Sequence, residues 1–210
     1  MKLLVISHPD QFAHEAEVIN QLFELGMQHF HLRKPNWSTE EIRNLLKSVQ
    51  PTFFNRIIIH DHFQLAVEFG LGGIHFSAKT KNQMPQWRSF EGSRSTSCHS
   101  LEELHELPDQ IDYAFLSPIF PSISKQGYHA NFDFDELEKF LATYNKAEVI
   151  ALGGIEAGKI QTCRQIGFNG IAVLGNIWQE GQTQRELTDR FRILQKQNGR
   201  QIRNDNKIRL

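Results

Sequence analysis

The sequence predicts an α/β fold, a (β/α)8 TIM barrel in a single compact domain. Three observations lead there. Short apolar runs alternate with amphipathic stretches along nearly the whole chain, the runs number eight, and nearly every one is followed by a helical pattern. Continuous apolar strands separated by helices belong to parallel sheets. Sharing 210 residues among eight units gives about 26 per unit, the compact end for such a barrel. An open doubly wound sheet is the alternative, but no dinucleotide-type GxGxxG follows the first strand.

The elements follow in order. Residues 2–6 form a first apolar strand. Residues 15–25 place Val18, Ile19, Leu22, Phe23 and Leu25 at helical spacing, and Gly26 ends the helix. A second strand occupies residues 30–33. Ser38 and Glu41 then form a capping box, opening a helix that buries Ile42, Leu45, Leu46 and Val49. Strand 56–59 and helix 63–69 come next, the helix stopped by Gly70. Strand 73–76 is followed by the polar, irregular stretch 77–92, so the fourth unit lacks a clear helix. Strand 95–98 is weaker and leads into a short helix at 101–107. Strand 113–116, helix 134–144 and strand 148–152 follow. Helix 157–166 is ended by Gly167, and strand 170–174 and helix 185–194 complete the domain at residues 1–194. Residues 195–210 read as a basic polar tail, with Lys196, Arg200, Arg203, Lys207 and Arg209 against Asp205.

Composition narrows the function. Hydrophobic residues make up 40% and charged residues 22%, ordinary globular values that exclude disorder for the body of the chain. The formal net charge of −1 lacks the basic excess of a nucleic-acid binder. A mean hydropathy of −0.43, without an apolar run near the roughly 20 residues of a span, argues against a membrane protein. The first apolar run is too short for a secretory signal, and two cysteines, Cys98 and Cys163, make no disulfide framework, so a cytoplasmic location is expected.

Barrel chemistry sits at the C-terminal strand ends. Those ends carry Ser7 and His8; His31, Arg33 and Lys34; His60, Asp61 and His62; His75, Ser77 and Lys79; Ser97 and His99; then Ser117 to Lys125. Cations and hydroxyls dominate and Asp61 is the clear carboxylate, a set suited to a phosphate or pyrophosphate. Gly153-Gly154 and Leu174-Gly175 follow strands seven and eight, where such barrels commonly bind phosphate. Tight turns would account for these glycines equally well. The HxH pairs His29/His31 and His60/His62 invite a zinc-type reading, but ten histidines in 210 residues also produce chance pairs. Cys98 reads as a small buried hydrophobe.

Taken in order, His31-Leu32-Arg33-Lys34, Ile59-His60-Asp61-His62, Gly72-Gly73-Ile74-His75, Ser97-Cys98-His99-Ser100, the stretch from Tyr113 to Lys125, Ala151 to Ile155 and Gly170-Ile171-Ala172-Val173 resemble the thiamine phosphate synthase family, which includes the thiazole tautomerases. The resemblance runs over residues 3–177. It implies a barrel that couples hydroxymethylpyrimidine diphosphate to thiazole phosphate with Mg²⁺ and releases pyrophosphate. Its partners are small phosphorylated substrates, not nucleic acid or membrane, and an oligomer stays open. By resemblance, Arg33, Lys125 and Ser97 are catalytic. His31, Lys34, His60, Ser122, Ser124, Gly153, Gly154, Leu174 and Gly175 bind substrate, and Asp61 binds the metal.

The chain also departs from the family pattern. His31 stands where the family has a pyrimidine-reading Gln, and His60 replaces an Asn. Lys34 is one residue short of the family Lys. Thr80, flanked by Lys79 and Lys81, stands where a second metal-binding Asp is expected. Two other readings stay open: a metal-free thiazole tautomerase, with His75 or His99 as acid–base group, and a catalytically silent phosphate-ligand binder or regulator.

Overall fold

A computed structural model describes residues 1–121 and 132–199. Eight parallel strands close into a barrel in sequence order: β1 (Lys2–Ile6), β2 (His29–Leu32), β3 (Ile57–Ile59), β4 (Gly73–Phe76), β5 (Ser93–Cys98), β6 (Tyr113–Leu116), β7 (Glu148–Leu152) and β8 (Gly170–Val173). The ring shuts where β1 pairs with β8, in register from Lys2↔Gly170 to Val5↔Val173. The expected closed barrel is therefore present, and the open sheet is excluded.

Seven helices lie among the described residues: α1 (Glu15–Glu24), α2 (Thr39–Lys47), α3 (Gln64–Phe69), α4 (Leu101–His105), α5 (Phe134–Thr143), α6 (Ile160–Ile166) and α7 (Gln184–Gly199). The capping box of α2 forms as expected: the Glu41 backbone N–H donates to Ser38 Oγ and the Glu41 carboxylate accepts from the Ser38 N–H. The fourth unit carries only a 3-10 stretch, Lys81–Trp87, interrupted by Pro85, so the helix-poor reading holds. A second 3-10 segment, Pro51–Arg56, was not legible as such. The last helix runs five residues past the expected end at 194. The Gln195 amide donates to the Leu25 carbonyl and the Asn198 amide to that of Met1, so residues that look solvated tie the helix to the rest of the domain. Residues 200–210 of the expected tail lie outside the described residues.

Two cores follow from strand alternation. The larger lies between barrel and helices and includes Val5, Phe30, Ile57, Ile74 and Leu116 with the inner faces of α1, α2 and α7. The smaller fills one side of the barrel interior with Leu4, Ile6, Tyr113, Phe115, Ile150 and Ala172, against which Leu152 and Leu174 pack. The other side of the interior, lined by β2 to β5, is polar. His31, His75 and Ser95 are all buried there.

Candidate functional site

Strand register builds the polar side of the barrel. His75 on β4 stands opposite Ser95 on β5, and Ser95 stands opposite Tyr113 on β6. Ser97 lies two residues beyond Ser95 and so on the same face. His75 is held between the two serines, Nδ1 at 2.9 Å from Ser95 Oγ and Nε2 at 3.0 Å from Ser97 Oγ. From β2, His31 meets the Tyr113 hydroxyl across the interior through Nε2 at 2.9 Å, and meets His60 Nε2 through Nδ1 at 2.9 Å. His60 stacks on His75 with ring centroids 4.0 Å apart at 21°.

Burial holds all three imidazoles below the ordinary histidine range, His75 at about 3, and the Arg33 guanidinium adds to the effect on His60 and His75. They are neutral at pH 7. The same burial pushes the Tyr113 phenol well above its ordinary value, so its proton stays on.

The HxH pairs therefore divide. His31 joins His60 and His75, three residues from three strand ends, while His62 turns away to bond Thr39 Oγ1 and the Trp37 carbonyl. His31, expected to touch substrate, is fully enclosed with both nitrogens engaged. The sequence hid this cluster because its members lie on different strands and only the barrel's register brings them together.

Above this layer, Arg33 is exposed. Its backbone is clamped: its N–H donates to Ser7 Oγ at 2.8 Å and its carbonyl accepts from the Ser7 hydroxyl at 2.9 Å. No described residue engages its guanidinium. It lies close enough to depress the basicity of His60 and His75. Asp61 is half-buried and spends one oxygen on the His62 N–H at 2.8 Å.

Lys34 corrects the sequence reading. Its ammonium points into the body of the protein, 2.5 Å from Glu15 Oε2 and 2.7 Å from the Asp10 carbonyl, with Trp37 beneath it. An ammonium enclosed in this way does not reach an anion at the mouth. Thr80 is also buried, its hydroxyl accepting from the Ser77 N–H at 2.9 Å, while Lys79 and Lys81 beside it are exposed.

The glycine pair after β7 has a packing role. A Cβ on Gly153 would stand 2.9 Å from Pro118 Cα, and one on Gly154 2.7 Å from the Pro121 carbonyl oxygen, with φ of 96° and 63°. The segment leaving β6 lies directly on these two residues, with the Ile119 N–H donating to Leu152 and the Phe120 N–H to Gly153. Gly175, by contrast, is exposed and no described residue approaches the position of its Cβ within 4 Å, while the Leu174 carbonyl accepts from the Ile177 and Trp178 N–H groups. Ser122, Ser124 and Lys125 lie outside the described residues. Cys98 is buried as expected, and burial pushes its thiol up to about 11, which removes it as a nucleophile at neutral pH.

The donor set accommodates Mg²⁺ in one way. Asp61 supplies a carboxylate oxygen, Thr80 supplies none, and a magnesium ion held by one carboxylate completes its octahedron with phosphate oxygens and water. That fit requires a phosphorylated ligand in the mouth.

The thiamine monophosphate synthase family model matches residues 3–177. The thiamine-phosphate synthase of Actinobacillus pleuropneumoniae is 26% identical over 169 residues, covering 75% of this chain and 78% of that protein. The thiamine-phosphate synthase of Latilactobacillus sakei is 28% identical over 178 residues, covering 77% of each. Among solved structures, thiamine phosphate pyrophosphorylase from Bacteroides thetaiotaomicron superposes with a TM-score of 0.81 at 32% identity, covering 94% of this chain and 97% of that one. The Pyrococcus furiosus thiamine phosphate pyrophosphorylase has a TM-score of 0.74 at 20% identity, a likeness of fold.

Proposed function

This chain belongs to the thiamine monophosphate synthase family, and from that premise we propose that it joins hydroxymethylpyrimidine diphosphate to thiazole phosphate, releasing pyrophosphate. The observation that supports the reading is the exposed Arg33, whose backbone Ser7 clamps and whose guanidinium no other described residue engages, after β2 of a barrel whose polar side holds buried imidazoles below the ordinary histidine range. An exposed cation fixed at its backbone over uncharged donors suits a diphosphate and gives a neutral substrate little.

In this reaction the bond between the pyrimidine methylene and the diphosphate oxygen breaks, and the diphosphate leaves with the electron pair. The thiazole nitrogen supplies its lone pair to the methylene carbon. No covalent enzyme intermediate is needed, so the protein's contribution is electrostatic: it favours the charge that gathers on the leaving group. Arg33 is assigned to that charge, with Lys125, Ser122 and Ser124 as further donors on the strength of the sequence resemblance. Ser97 orients His75 beneath them. Gly175 and Leu174 offer backbone to the phosphate of the thiazole partner. Mg²⁺, when bound, would be held by Asp61 and would neutralise the diphosphate.

The test is turnover. The purified chain supplied with both substrates is expected to form thiamine phosphate and pyrophosphate in equal amounts, followed by chromatography. A folded chain that binds pyrophosphate but forms no product would instead identify a phosphate-ligand binder.

A further inference from the structure

Of the six ring nitrogens on His31, His60 and His75, five are hydrogen-bonded among the described residues, and His60 Nδ1 is the remaining one. These residues come from different strands, yet they form a single chain: Tyr113 hydroxyl, His31, His60. A neutral imidazole carries one proton, so each of its nitrogens is a donor or an acceptor, and the role of one dictates the role of the other. The Tyr113 phenol keeps its proton, and an imidazole nitrogen is a better acceptor than the serine hydroxyls around it. Tyr113 therefore donates to His31 Nε2. His31 must then carry its proton on Nδ1, where it faces His60 Nε2 at 2.9 Å. His60 accepts there, and its own proton is left on Nδ1.

A metal cage is the competing account of the same three residues, whose candidate ligand atoms lie within 4.8 Å of one another. The stacking of His60 on His75 speaks against it. In-plane lone pairs on two rings inclined by 21° with centroids 4.0 Å apart do not converge on one point, as the tetrahedral ligand set of zinc requires.

We infer that Tyr113 and His31 are positioning residues that fix the tautomer of His60 through their hydrogen bonds, so that His60 offers its Nδ1–H to an anionic oxygen of the diphosphate assigned to Arg33. The donor role rests on the functional reading above, while the tautomer assignment stands independently of it. The arrangement adds a donor without adding a charge to the interior. It needs three linked residues because a lone imidazole would be free to carry its proton on either nitrogen.

The experiment combines a spectrum with a binding measurement on the full chain. Nitrogen-15 NMR of the histidine rings is expected to show His31 and His60 both protonated at Nδ1. Tyr113→Phe removes the first donor. His60 then loses its fixed tautomer, and the affinity for inorganic pyrophosphate, measured by calorimetry, falls about twofold, the cost of selecting one of two equally populated tautomers. In a His60→Asn background, Tyr113→Phe is expected to cost nothing further, because a carboxamide has no tautomer to set. Should Tyr113→Phe not fold, the wild-type spectrum decides by itself.

A wild-type His60 protonated at Nε2 overturns the inference. So does an equal loss of affinity from Tyr113→Phe in both backgrounds, which would make Tyr113 merely structural. Stoichiometric zinc uptake that His75→Asn abolishes would overturn it too. A wild-type chain that binds no pyrophosphate, yet shows the Nδ1 tautomer, overturns the functional reading and the donor role with it. Binding that ignores Tyr113 overturns the relay alone.

Discussion

The Lys34 ammonium stands 2.5 Å from Glu15 Oε2, and both side chains are sealed from water. The pair bridges the segment after β2 to the first turn of α1. Burial pushes the Glu15 carboxyl up to about 7 and the Lys34 ammonium down, against their mutual attraction. Removing one partner strands the other. Glu15→Ala is expected to cost about 3–5 kcal/mol of unfolding free energy in urea, and Glu15→Leu combined with Lys34→Met to recover most of it. A loss under about 1 kcal/mol for the single change would mean that the pair is not buried in solution.

Arg33 and Lys34 are adjacent in sequence and opposite in role. Arg33→Ala is expected to leave stability within about 0.5 kcal/mol, since an exposed side chain that no other described residue engages contributes little. The same change should weaken pyrophosphate binding by about tenfold or more. Lys34→Met should do the reverse, lowering stability and sparing affinity. Calorimetry beside thermal unfolding of both variants checks the split, and an affinity loss confined to Lys34→Met would contradict the placement of the site.

Stability should depend on pH through the buried imidazoles. His31, His60 and His75 have folded values held below the ordinary 6.5, so the unfolded chain takes up their protons first. Their contribution is complete above about pH 6.5 and drains as the pH falls. Glu15 acts in the opposite sense between about 7 and its unfolded value of 4.5, because the folded chain protonates it earlier. A fully developed shift is worth about 1.4 kcal/mol per pH unit for each group, and three imidazoles outweigh one carboxyl. Denaturant unfolding is expected to show stability falling from pH 6.5 to 4.5. His75→Asn should flatten that slope and Glu15→Gln steepen it. A flat profile in the wild-type chain would show that the histidines are not buried neutral.

Metal dependence is expected to be partial. With one carboxylate at Asp61 and Thr80 turned inward, pyrophosphate should still bind in EDTA, and added Mg²⁺ should tighten it. Asp61→Asn should shrink that gain. Binding that vanishes entirely in EDTA would show that further metal ligands exist beyond those described.

The barrel was legible in the sequence because buried parallel strands are continuous apolar runs and because punctuation such as Gly26, Gly70 and Gly167 falls at helix ends. Arg33 and Asp61 were legible as strand-end residues, and they follow the C-terminal ends of β2 and β3. What stayed hidden depends on contacts between residues far apart in the sequence. His31, His60 and His75 meet only through the register of β2, β3 and β4. The direction of Lys34 depends on Glu15, nineteen residues away. Gly153 and Gly154 read equally as a phosphate cradle or as tight turns, and the segment that leaves β6, distant in sequence, packs on both. Polar residues at the end of α7 looked like a tail because their backbone acceptors, at Leu25 and Met1, lie at the other end of the chain.

The most direct measurement is a crystal structure of the chain soaked with pyrophosphate and Mg²⁺. The account predicts the anion at the C-terminal mouth of the barrel, within hydrogen-bonding distance of the Arg33 guanidinium and of His60 Nδ1, with Asp61 facing the metal. An anion bound only elsewhere, for example among Thr183, Arg185 and Arg192 on the outer surface, would contradict it.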